Sequence, residues 1–88
     1  MRFTDTTLEN FIRNGERKAA LILAGRQTIG YRDAALNCAR LVLADVQARV
    51  DHWRPFERVC VAYRNEFNRW CALLETARWT LDVFQKTA

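Results

Sequence analysis

The stretch Arg58–Tyr63, RVCVAY, decides between two folds. Val59, Val61 and Tyr63 alternate with Cys60 and Ala62, and both sets are apolar. That is how a strand covered on both faces reads. The same residues also fit a helix. Phe56, Cys60, Tyr63, Phe67, Trp70, Leu74, Ala77, Leu81 and Phe84 recur at steps of three and four, so one long helix from Pro55 would carry them all on one face. Proline is favourable in a first helical turn, where its missing N–H would have had no partner. Both periods fit the stretch, and propensity is a weak arbiter between them. Beyond Asn65 either reading gives a helix into the tail.

Upstream, Arg54-Pro55 ends a segment with a clear helical pattern. Leu36, Ala39, Leu43, Val46 and Val50 alternate steps of three and four, predicting a helix over Asp33–Val50. Arg40, Asp45 and Arg49 lie off that stripe, and Thr28 or Asp33 is the expected cap. Further back, AALILAG and QTIGY flank Gly25-Arg26 and read as a β-hairpin. Ala19–Ala24 fits equally as an extension of a preceding helix, because Ala and Leu favour it. That first helix begins near Thr4–Thr7, capped by Asp5 or Thr6, and Asn14-Gly15 is the expected stop.

Two segments, GRQTIGYRD (Gly25–Asp33) and WRPFERVCVAYRN (Trp53–Asn65), resemble in order and approximate spacing the opening of adenylate-forming enzymes, the AMP-binding acyl- and aryl-CoA synthetases. The resemblance also takes in Ala20-Leu21, Ala39-Arg40-Leu41 and Asn65, and covers roughly residues 7–79. It departs from the family pattern at Gly30, where the family has Thr or Ser, and at Phe56 and around Arg78-Trp79, where the family has Gly. The resemblance implies a hairpin and a buried strand. The family's phosphate loop, acidic AMP contacts and catalytic Lys belong to other regions, so it transfers no functional residue. Together the readings predict a small α/β domain spanning residues 1–88: helix, β-hairpin, helix, strand at about 58–63, helix. The alternative is an all-α helical bundle with a long C-terminal helix.

Chain length allows one domain, and the composition, half apolar and 27% charged, is that of a globular protein. Net charge is +4, with arginines spread singly and no block of like charge, which reads as a solvated surface. Cys38, Cys60 and Cys71 lack paired ligand spacing and fall among apolar residues, so they are expected as buried, reduced thiols of a cytoplasmic protein. With His52 as the one histidine, neither a zinc site nor a Cys–His dyad is expected, and no cofactor. The N-terminus carries acids and lacks a long apolar run, and no membrane-spanning segment is expected. Glu57 and Glu66, beside Arg58, Arg64 and Arg69, read as surface ion pairs.

The aromatic and arginine content of the last segment points to binding. Phe67, Trp70 and Phe84 lie on the helical stripe and read as core or as interface. Trp79, beside Arg78, lies off the stripe, and exposed aromatic-plus-arginine pairs are favoured at binding hot spots. Trp70, Arg78, Trp79 and Phe84 are therefore the candidate interface residues. The expectation is a non-enzymatic protein-interaction domain, a regulator or inhibitor of the kind phages and other mobile elements carry, binding a larger host enzyme or forming a homodimer. A basic nucleic-acid-binding module and an accessory fragment of an adenylating enzyme are the alternatives.

Overall fold

Thr4 opens the first helix: its hydroxyl accepts the Thr7 N–H at 3.2 Å, satisfying one of the free donors of a helix start. The cap is thus Thr4, and Asp5, expected as a cap, stands in the first turn. The structure is a computed structural model that describes residues 2–87. It shows α1 (Asp5–Leu23), α2 (Arg32–Trp53) and α3 (Val61–Lys86), with one 3₁₀ turn, Arg54–Phe56, leading out of α2.

α1 does not stop at Asn14-Gly15. Gly15 stays helical because it is a packing residue: a Cβ there would come within 3.1 Å of the Thr80 methyl on α3. The helix stops at Gly25, whose φ of 71° suits only a residue without a side chain. There the Gly25 N–H donates to Ile22 O and the Arg26 N–H to Leu21 O, at 3.0 and 2.9 Å, the paired bonds of a Schellman ending. The predicted hairpin is therefore absent. Its first half, Ala19–Leu23, continues α1, because Ala19 and Ile22 pack with Ile29, Leu36, Val83 and Phe84.

α2 follows its predicted span to within a turn. Its start carries no side-chain cap: neither Thr28 nor Asp33 serves, and Tyr31 occupies the cap position after Gly30 (φ 64°). Burial of Ile29 between the helix ends fixes where the chain enters α2. Leu36, Ala39, Val42, Val46 and Val50 are buried, and so, against expectation, are Asp45 and Arg49.

No strand occurs among the described residues. The α/β reading is overturned, and the all-helical alternative describes the fold, 81% helix. Residues 57–59 form a turn, Cys60 is a single extended residue, and Val61 starts α3. A lone strand in this chain has no neighbour to pair its backbone N–H and C=O groups, whereas a helix from Val61 satisfies them internally and buries Trp70, Leu73, Leu74, Ala77, Val83 and Phe84. Nor does α3 reach back to Pro55, which lies in the 3₁₀ turn.

The bundle runs up, down, up, and its core has two tiers. Leu8, Ile12, Val42, Val46, Val50, Trp70, Leu73, Leu74 and Ala77 form one. Ala19, Ile29, Leu36, Ala39, Val83 and Phe84 form the other. α1 and α2 both pack chiefly on α3 and touch each other least.

Candidate functional site

Three places concentrate side chains with functional potential: the start of the chain, the corner between α2 and α3, and the exposed flanks of α3. The first is a polar clamp. Asp45 and Arg49, one helical turn apart on α2, are both buried and form an ion pair at 3.1 Å. The Asp45 carboxylate accepts the backbone N–H groups of Arg2 and Phe3 at 2.8 and 2.7 Å. Arg49 donates to Asp5 Oδ1 at 2.8 Å and to the Phe3 carbonyl, and its guanidinium lies 5.0 Å from the Trp70 ring centre. Burial alone would push the Asp45 carboxyl up, but the Arg2 and Phe3 N–H donors and Arg49 outweigh it and hold it below the usual range. Arg69 adds a second cation 4.8 Å from the same ring and bonds Glu9 at 2.9 Å, tying α3 to α1. Glu9 is the main reason the Arg69 guanidinium holds its proton still more firmly than usual. The clamp closes on itself, so its chemistry is structural.

The corner is different in kind. His52, Trp53, Phe56 and Tyr63 form a chain of ring contacts with centroids 5.2–6.2 Å apart. Beside them, Val59 and Val61 are 63% and 69% exposed, the consequence of a turn where a buried strand was expected. Phe56 and Tyr63 are also exposed. Arg54 reaches Asp51 at 3.8 Å, while Arg58 and Arg64 have no carboxylate within 4 Å among the described residues. Glu66 pairs with Arg69 at 3.6 Å, as expected for a surface ion pair.

The candidate interface residues do not share one surface. Trp70 is 0% exposed and Phe84 is buried, so both serve the core: each sits where the apolar stripe of α3 meets α1 and α2. Arg78 and Trp79 are exposed but diverge. Arg78 turns to α2 and donates to Gln47 Oε1 at 3.3 Å, while Trp79 lies in a shallow depression with Glu16 and Ala20 of α1. Successive helical residues point about 100° apart, which separates them.

Cys38 and Cys60 are exposed, against the expectation of buried thiols, because one lies beside an open gap between α2 and α1 and the other in the corner turn. Cys71 is half-buried, and burial pushes its thiol up, Arg54 only partly offsetting this. Its thiolate, the reactive form, is thereby disfavoured. No group of three or more His, Cys, Asp or Glu among the described residues is placed to hold a metal ion. No described helix is long and apolar enough to cross a membrane.

Val59, Val61 and Tyr63 of the corner surface read from sequence as part of a covered strand, which hid their exposure. The clamp's visible signal was an Asp and an Arg four apart, each next in sequence to a stripe residue, Val46 and Val50. No family model matches this chain, and no curated protein or solved structure matches it either.

Proposed function

We propose that this chain is a non-enzymatic helical interaction module that docks on a larger protein through the corner joining α2 to α3. The observation that carries this reading is the exposure of Phe56, Val59, Val61 and Tyr63 side by side, with Arg58 and Arg64 uncommitted at the edge. Clustered exposed apolar side chains rimmed by polar groups are the usual composition of a docking surface. The partner's chemistry follows: an apolar depression bordered by carboxylates. Such a module acts as a regulator or inhibitor by occupying a surface.

Val61→Asp tests it. Val61 is the first residue of α3, where an acid suits the positive end of the helix, so the fold is retained. Affinity capture with the variant is expected to lose the partner that wild type retains, at unchanged far-UV circular dichroism. Equal capture by both proteins would rule out the corner as the docking surface.

A second reading has its own observation. Arg58 and Arg64 flank exposed aromatic rings, and such pairs also serve single-stranded nucleic acid. It requires binding that weakens steeply with salt, because phosphate contacts release counterions. Fluorescence anisotropy with a single-stranded oligonucleotide at low and high salt separates the two readings, since apolar docking is far less sensitive to salt.

A further inference from the structure

The two tiers of the core leave a cleft where they meet. It holds about 220 Å³ and is bounded by facing stripes of two helices. Phe11, Asn14, Gly15 and Lys18 line it from α1, and Ala35, Cys38, Ala39 and Val42 from α2. Both stripes follow the i, i+3, i+4, i+7 spacing of a single helical face. Ala77, Thr80 and Phe84 of α3 form the floor. Gly15, Ala35, Cys38, Ala39 and Ala77 are too small to close the gap between α1 and α2.

The polar groups at the cleft are few, and Lys18 is the one charged side chain among them. Thr80 is only 5% exposed, and its hydroxyl makes no hydrogen bond among the described residues. That oxygen is closed to a water-sized molecule as well, so it offers a ligand no bond, and the Thr80 methyl is the group that lies against Gly15. Lys18 stands at the edge with no carboxylate within 4 Å among the described residues, and Asn14 adds an amide. No acidic side chain lines the cleft. A cation and an amide at the rim of an apolar interior complement an anion with an apolar body. The volume exceeds the roughly 150 Å³ that accommodates benzene and falls short of the roughly 300 Å³ at which drug-sized pockets begin. That volume is too small to hold a docking helix, whose diameter with side chains is about 10–12 Å.

We propose that this cleft binds a compact apolar carboxylate, a short alkyl chain or single ring whose acid group meets Lys18 at the rim while its apolar body lies over the small residues below. The site lies roughly 15 Å along α2 from the corner surface, so it stands or falls independently of the docking role.

Cys38 in the lining gives a direct readout, and exposed Cys60 an internal reference. Alkylation of the two thiols is followed by mass spectrometry with octanoate as the probe, and octan-1-ol and octylamine as controls. Octanoate is expected to slow modification of Cys38 and leave Cys60 unchanged, with octylamine inert. Lys18→Met should weaken octanoate binding about tenfold, the loss of one charge-assisted contact, without altering octanol. Ala35→Leu, at the half-buried rim, should abolish protection by filling the opening. Unprotected Cys38 at millimolar octanoate would overturn the site. Equal protection by octanol and octanoate, unaffected by Lys18→Met, would overturn the carboxylate. Equal slowing at Cys60 would also overturn the site, by showing a general surface effect.

Discussion

Asp45 spends its charge on the first residues of the chain. Its carboxylate is depressed below the ordinary aspartate value because two backbone donors and Arg49 favour the ionised form more than burial opposes it. A group whose folded value is depressed stabilises above its unfolded value, about pH 4 for aspartate, and that contribution disappears as pH falls through the folded value. Acid titration of stability, read by far-UV circular dichroism, is therefore expected to show a loss setting in below about pH 4. Asp45→Asn should flatten that acid limb and cost about 1–3 kcal/mol at neutral pH, since it removes the charge from a buried, hydrogen-bonded group. An unchanged acid limb in the variant would show that other carboxylates carry the effect. The residue was placed off the apolar stripe from sequence. A buried ion pair and a surface ion pair look alike until the N-terminal arm that supplies the other donors is in view.

At the scale of the element, the boundaries of the helices explain both what was legible and what was not. The stripe of α2 was readable because its apolar positions repeat over about four turns without a break. The stop at Gly15 was misread because a glycine's two uses, ending a helix and admitting a neighbour, leave the same letter. Only the approach of Thr80 decides between them. Gly15→Val is expected to destabilise the protein by about 1–3 kcal/mol through overpacking. The penalty should shrink in a Thr80→Ala background, as a double-mutant cycle by urea unfolding would measure. Equal cost in both backgrounds would place the crowding elsewhere. Val59 and Val61 were misread for a similar reason: an apolar alternation describes a covered strand and an uncovered turn equally well. Their exposure became visible only once no second strand was there to pair with.

For the whole molecule, α3 sets the long dimension. Twenty-six helical residues rise roughly 39 Å, and the bundle measures 44 × 23 × 20 Å. The tier around Trp70 has the larger apolar cluster and the clamp. The tier around Phe84 is smaller and adjoins the cleft. Native-state hydrogen exchange is expected to show amides near Leu36 and Val83 opening at lower free energy than those near Val46 and Trp70, because local stability follows buried contacts. Uniform protection across both tiers would mean that the bundle opens only as a unit. The cleft between the tiers was within reach of the sequence as two helical stripes with matching spacing. Their facing each other was not, because it depends on α1 continuing past Gly15.

Both ends of the described chain are fastened to the same helix. Asp45 and Arg49 hold residues 2–5, and at the far end of α2 Arg32 donates to the carbonyls of Gln85 and Thr87, each at 3.0 Å. Under tension applied at the termini, the load falls first on these polar ties and passes into α2 as shear, before any apolar side chain separates from another. The middle helix acts as a splint: the force needed to break the molecule is set by a few side-chain bonds at its two ends, and the lifetime under that force by how fast they rupture.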